Sequence, residues 1–255
     1  MIAPALLLPR IVELVDAAGE VIMSHYAKPT PAETKGDGSP VTLADKDGEG
    51  VITGGLESLT PGIPIVAEER VSEGQVPDLA GQEFFWLVDP LDGTKEFISK
   101  NGEFTVNVAL IQGDAPLLGV VGAPAFGALW WGVRGHGASR RDADGTRDIR
   151  ARSVPAGGAT ALVSRSHLDP ATERFLQTIT VADTMSAGSS LKFCRIADGV
   201  ADVYPRFGRT MEWDTGAGDA VLRAAGGRVQ TTEGEVFTYR KPGFANDGGF
   251  IAWGA

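Results

Sequence analysis

The chain has 255 residues, 43% hydrophobic and 22% charged, with 23 Lys plus Arg against 33 Asp plus Glu and a formal net charge of −10. That length is enough for one large domain or two intimately packed ones, and the acidic balance argues against nonspecific binding to long nucleic acid or to an anionic membrane. Cys194 is the only cysteine, which excludes an internal disulfide and a cysteine-based zinc site, and no apolar stretch approaches the length of a membrane-spanning helix.

Ile11, Leu14, Val15, Ala18 and Ile22 recur at helical spacing and predict an amphipathic helix over 4–26. Pro9-Arg10 interrupts the opening apolar run, so the start is not read as a secretion signal and a cytoplasmic protein is expected. A loop rich in Gly, Pro and Asp over 28–40 reads as a lid. A second helix is predicted over 42–59, stopped by Thr60-Pro61-Gly62, with Thr42 and Asp45 at the spacing of a capping box. Strands follow at 63–67 and 84–88, then an antiparallel set at 104–112, 117–123 and 128–133.

Residues 134–158 are polar, charged and glycine-rich, and a boundary is expected at their end, dividing 1–155 from 156–255. The second half alternates: strand 160–164, helix 170–178, helix 190–199, strand 201–204, helix 214–225 and strand 228–230. The expected class is therefore α/β, an α+β N-terminal part followed by an α/β C-terminal part. Asp214 reads as the N-cap of a helix closed by Gly226-Gly227. Cys194 reads as a packed core thiol, and His25 and His136 as surface residues without a recognisable partner.

The chemistry concentrates in Trp86-Leu-Val-Asp-Pro-Leu-Asp-Gly-Thr-Lys-Glu-Phe97. A buried strand delivers Asp89, and Pro90 bends the chain so that Asp92 can return to the same side. Gly93 permits a tight backbone, and Thr94 can open a helix whose free amides attract anions. Two carboxylates at the mouth of such a turn are costly neighbours without a cation, and hard oxygen ligands favour Mg²⁺ or Mn²⁺. The simplest chemistry is metal-assisted attack on a phosphate ester. Glu68 and Glu69 stand just past the strand at 63–67. Taken singly, the turn, the capping box, these acids and the cap at Asp214 are each ordinary structural features.

Their order is what discriminates. Val-Thr-x-Ala-Asp45, then a strand followed by Glu68-Glu69, then Asp89-Pro-x-Asp-Gly-Thr94, then Trp213-Asp214-x-x-x-Gly-Asp resembles the lithium-sensitive, magnesium-dependent phosphatases typified by inositol monophosphatase, over about Lys35 to Gly227. Within that superfamily the chain is most similar to the bacterial 3′(2′),5′-bisphosphate nucleotidases of sulfate assimilation. The matching words are Lys95-Glu96-Phe97, Asn101-Gly-Glu-Phe-Thr-Val-Asn-Val-Ala-Leu110, Ser164-Arg-Ser-His167, Gly188-Ser-Ser-Leu-Lys-Phe-Cys194 and Asp202-Val-Tyr-Pro-Arg-Phe-Gly208.

The resemblance implies a layered αβαβα sandwich. It implies that Glu68, Asp89 and the Leu91 carbonyl bind one Mg²⁺, and that Asp89 bridges to a second held by Asp92 and Asp214, with Mn²⁺ as a substitute and a third ion left open. Thr94, paired with Asp45, would orient and deprotonate the attacking water without a covalent intermediate, and Glu69 would support the site from outside. Substrate contacts would come from Gly93, Thr94, His167, Ser189, Lys192, Arg206 and Asp214.

The implied activity is hydrolysis of adenosine 3′,5′-bisphosphate to AMP and phosphate, extending to its sulfated analogue PAPS, with inhibition by lithium. The alternatives are an inositol- or sugar-phosphate phosphatase and a non-catalytic sensor of nucleotide or metal. The expected partner is a small-molecule bisphosphate nucleotide, with no long nucleic acid and no integral membrane segment. Monomer and homodimer are both compatible with the resemblance. Attachment to the inner face of a membrane finds no support in the charge.

Overall fold

The computed structural model describes residues 4–28, 32–36, 38, 40–163 and 169–255. Helices α1 (Pro4–Tyr26) and α2 (Leu43–Leu59) pack against each other and form the first layer. The buried stripe of α1 is Ile11, Val15, Ala18 and Ile22, as the helical spacing predicts. At the start of α2, Thr42 accepts the Ala44 N–H, while the Asp45 carboxylate accepts the Thr42 N–H at 2.7 Å, so the capping box forms.

Under these helices lies a seven-stranded sheet that follows chain order: Ile65–Ala67, Phe84–Asp92, Thr105–Gln112, Ala115–Ala123, Ala128–Val133, Gly137–Asp142 and Gly145–Ile149. Its first pair is parallel and the other pairs antiparallel. The alternation of side chains splits the core. Trp86, Val88, Val106, Val108 and Leu110 pack toward α1 and α2, while Phe85, Leu87, Ala109 and Ile111 pack toward the opposite layer.

Three short helices follow in the chain: α3 (Glu68–Ser72), α4 (Thr94–Ile98) and α5 (Pro170–Leu176). The middle layer is α6 (Leu191–Ala197) and α7 (Glu212–Ala224). Helix α7 sits close to the sheet because Gly119 faces it: a Cβ there would meet the Ala217 carbonyl at 2.5 Å. Beyond it a five-stranded sheet runs in the order Val181–Ser186, Ala159–Val163, Val203–Arg206, Phe250–Trp253 and Arg228–Gln230. The first three strands are parallel, and Phe250–Trp253 is antiparallel to both its neighbours. Phe175 and Leu176 of α5 pack with Ala159, Ala161, Val203 and Ile251 on its far face. The layers therefore alternate αβαβα, and Cys194 is fully buried among them.

Four strands differ from the sequence reading. The polar stretch 134–158 contains the hairpin Gly137–Asp142 and Gly145–Ile149, at the sheet's edge, where Arg and Asp side chains can face water. Strand Val181–Ser186, also an edge and largely exposed, has no apolar run to announce it. The strand expected to stop at Val88 continues to Asp92. Among the described residues no helix is long and apolar enough to cross a membrane.

Candidate active site

The continuation of that strand explains how two aspartates come to face one point. Asp89 pairs with Asn107 and Asp92 with Thr105, so three steps on one strand answer two on the other, and the extra residue makes a bulge. Residues three apart on a regular strand would point to opposite faces; the bulge brings Asp89 and Asp92 to the same one. Pro90, which has no N–H to offer a ladder, suits this position. Leu91 N–H donates to Asp89 Oδ1 at 3.0 Å, orienting that carboxylate. Gly93 then adopts φ 94°, a left-handed conformation, and Thr94 begins α4.

Thr94 Oγ1 donates to Asp45 Oδ1 at 3.1 Å, while both the N–H and the hydroxyl of Thr42 hold Asp45 Oδ2 at 2.7 Å. The capping box of α2 thus fixes the carboxylate that faces Thr94. Glu68 and Glu69 open α3 directly after strand Ile65–Ala67. Two residues that the sequence reading missed secure them. Glu49 on α2 accepts the N–H groups of Glu69 at 2.7 Å and Arg70 at 3.1 Å. Lys35 donates to Glu68 Oε1 at 2.6 Å and Glu69 Oε1 at 2.7 Å. Glu49 was detectable as an acid on the buried stripe of α2, between Asp45 and Ile52; nothing in the loop around Lys35 marks its target.

Asp214 arrives from the middle layer. It is not the N-cap of α7 but its third residue, and its Oδ2 accepts the N–H of the capping residue Met211 at 2.8 Å. Two residues of Glu212-Trp213 precede it inside the helix because an acid at that position can satisfy the free amide at the start. Ser190 joins the halves: its hydroxyl lies 2.8 Å from the Asp214 carbonyl and 3.3 Å from Asp92 Oδ2.

Burial raises the pKa of Asp89, Asp92 and Asp214, and mutual repulsion with Glu68 and with one another raises it further. Asp92 reaches about 6, held there by the opposing attraction of Lys192. Burial also raises Asp45, and Glu69 to about 7. Among the described residues no group of three or more Asp, Glu, His or Cys side chains is gathered tightly enough to hold a metal ion as it stands. The donor chemistry nonetheless fits a hard divalent cation: the oxygens are carboxylates, their like charges disfavour joint ionisation, and an ammonium group already bridges Glu68 and Glu69.

A cavity of about 440 Å³ adjoins these acids, and Asp92, Ser189, Lys192, Arg206 and Asp214 line it together with Glu96. Lys192 is buried: it is 8% exposed, donates to the Ser189 carbonyl at 3.1 Å and lies 5.0 Å over the Tyr204 ring. Burial lowers its pKa to about 8 against the pull of Asp92. Arg206 ends strand Val203–Arg206, and its Nε is buried without a hydrogen-bond partner among the described residues. The Ser189 hydroxyl is within 2.8 Å of the Asp92 carbonyl and 2.9 Å of the Glu103 carbonyl, so its proton is engaged with backbone. His167 lies outside the described residues. His25 does have a partner, Asp47 Oδ2 at 2.8 Å, because one turn of α1 faces α2 there. A second cavity of about 380 Å³, beside α1, holds the Asp16–Arg141 ion pair and none of these residues.

Residues 6–251 match the profile of the inositol monophosphatase family. The chain is 43% identical over 245 residues to the 3′(2′),5′-bisphosphate nucleotidase CysQ of Escherichia coli O157:H7, an alignment covering 95% of this chain and 98% of that one. Its fold superposes on the crystal structure of CysQ from Bacteroides thetaiotaomicron with a TM-score of 0.82, at 35% identity and 96% coverage of each chain. It also superposes on the inositol monophosphatase of Anabaena with a TM-score of 0.76, at 25% identity, covering 98% of this chain and 90% of that one.

Proposed function

The chain belongs to the inositol monophosphatase family, and we propose that it is a Mg²⁺-dependent 3′(2′),5′-bisphosphate nucleotidase that releases the 3′-phosphate of adenosine 3′,5′-bisphosphate to give AMP, with PAPS as a second substrate. The observation that carries this reading is the cavity in which two cations, the buried Lys192 and the half-buried Arg206, share walls with Asp92 and Asp214. A substrate with one phosphate needs cations at one end only; a bisphosphate needs them at two. Similarity to nucleotidases named CysQ supports the same reading.

Glu68, Asp89, the Leu91 carbonyl, Asp92 and Asp214 are the residues that would hold two Mg²⁺ ions, with Mn²⁺ as a substitute; when bound, such ions offset the carboxylate charge, polarise the phosphoryl oxygens and make water a stronger nucleophile. The remaining work falls to the chain. Asp45, pinned by Thr42, receives the Thr94 proton, which leaves the Thr94 oxygen free to accept one from the attacking water. No nucleophilic side chain is required, and Cys194 is sealed in the core. Lys192 and Arg206 take the second phosphate, Gly93 and Thr94 approach the reacting one, and Ser189 holds the wall between them. His167 completes the proposed contacts. In this reading residues 1–155 carry most of the metal ligands, and 156–255 supply Asp214 and the recognition of the nucleotide.

The test is phosphate release by the purified protein with Mg²⁺, comparing adenosine 3′,5′-bisphosphate with inositol 1-phosphate at equal concentration. A strong preference for the nucleotide, suppressed by millimolar LiCl at low Mg²⁺, is expected. Preference for the inositol ester would discard the assigned role of Lys192 and Arg206.

A further inference from the structure

The strand Thr105–Gln112 runs beside the one that carries the aspartates, and its face toward the middle layer should be apolar throughout. Ala109 and Ile111 obey, buried in the core with α7 residues. The same face continues as Asn107 and Thr105, which are 1% and 0% exposed. They stand opposite Asp89 and Asp92 in the ladder. Asn107 Nδ2 reaches Asp92 Oδ2 at 3.5 Å, while Asn107 Oδ1 and Thr105 Oγ1 have no hydrogen-bond partner among the described residues.

Two polar side chains in a core position, with oxygens left unmatched, are costly to the fold unless something supplies donors. Apolar residues of the same shape would fill the space without that cost. The missing donors have one natural source here, because the neighbouring acids are the proposed cation ligands and a bound cation holds water whose hydrogens point outward.

We propose that Asn107, assisted by Thr105, is a positioning residue for Asp92: its amide orients the carboxylate toward the cation, and its Oδ1 and the Thr105 hydroxyl accept hydrogen bonds from an ordered water of the cation's outer sphere. This rests on the reading of Asp92 as a metal ligand. It assigns a task to part of the segment 101–110 that the reaction itself does not use. Hydrogen-bond partners behind metal ligands typically control affinity or activity by 10- to 100-fold.

The test uses N107L and T105V, which keep volume and remove the polar atoms. Metal-free protein is titrated with Mn²⁺ by calorimetry, its thermal midpoint is measured without metal, and turnover is followed across Mg²⁺ concentrations. N107L should weaken the Mn²⁺ site about 10- to 100-fold, with a metal-free midpoint unchanged or higher, and a turnover deficit that excess Mg²⁺ restores. T105V should shift the same quantities less. Mn²⁺ affinity within twofold of wild type in N107L, or a lowered metal-free midpoint with affinity intact, would overturn the proposal and leave both residues as packing. Should N107L fail to fold, N107S is expected to show the same loss of Mn²⁺ affinity, with its metal-free midpoint lowered by the space it leaves. Wild-type protein that binds Mn²⁺ but does not cleave the nucleotide would overturn the substrate reading and leave this one standing. Wild-type protein that binds no Mn²⁺ would overturn both.

Discussion

Gly93 lies against Ser189 with no room between them for a methyl group. The contact joins the loop of the proposed metal ligands to the turn before α6, and Gly93 also holds φ 94°. An L side chain in that conformation costs about 1–2 kcal/mol before any steric overlap. G93A should therefore lower the thermal midpoint by roughly 2–8 °C and cut turnover more than tenfold, because Ser189 must shift and its hydroxyl holds the Asp92 carbonyl. Calorimetry and phosphate release check this; a variant with wild-type turnover would show that the contact does not position the loop.

Thr94 and Asp45 form the proposed proton relay. T94A should lower kcat by about 10²- to 10⁴-fold with KM nearly unchanged, and T94S should recover much of the loss because it keeps the hydroxyl. Equal activity in T94A and T94S would remove Thr94 from the reaction.

The metal-free protein should lose stability as pH rises. Asp92 is pushed up to about 6 and Glu69 to about 7, and Asp89 and Asp214 are also raised. Free carboxylates titrate near 4, roughly, so between about pH 4 and 7 the folded state binds more protons than the unfolded chain. Stability then falls as pH climbs through that window. A divalent metal requires the deprotonated ligands, so its stabilising effect grows over the same range. Thermal midpoints at pH 6 and pH 8, without and with Mg²⁺, should rank in opposite orders. The same order in both conditions would contradict the assignment of these acids.

Lys192 and Arg206 should act on KM, and only where a second phosphate is present. The K192A/R206A variant should raise KM for adenosine 3′,5′-bisphosphate by about 10- to 100-fold, as losing charge-assisted bonds to phosphate does, and leave 3′-AMP little affected. Because burial lowers Lys192 to about 8, KM for the bisphosphate should climb between pH 8 and 9 in the wild type but not in K192A. Parallel changes for both nucleotides would place the two cations elsewhere in the mechanism.

Much of this molecule was readable from local sequence. Helical spacing located α1, the capping residues and the Thr60-Pro61-Gly62 stop located α2, and apolar runs located the central strands, because caps, breakers and burial each leave a local mark on the chain. The hairpin of 137–142 and 145–149, whose second strand is the sheet's edge, and the edge strand 181–186 escaped, since strands that bury little on either face carry no such mark. Asp89-Pro-x-Asp92-Gly-Thr94 announced a carboxylate turn because each residue type there has a narrow backbone repertoire.

The sequence alone determined the identities and order of the acids, the elements that carry them and the hard-cation chemistry they favour. Only the tertiary structure decided how they meet. A bulge turns Asp89 and Asp92 to one face, and Ser190, 98 residues from Asp92 in the chain, bridges it to the Asp214 backbone. The fold also buries Lys192, sends Lys35 to Glu68 and Glu69, and leaves Asn107 and Thr105 facing the acids with oxygens unmatched among the described residues. These are contacts between layers, set by packing and ladder register, and a side chain's local sequence carries no record of the partner that a distant strand or helix will place against it.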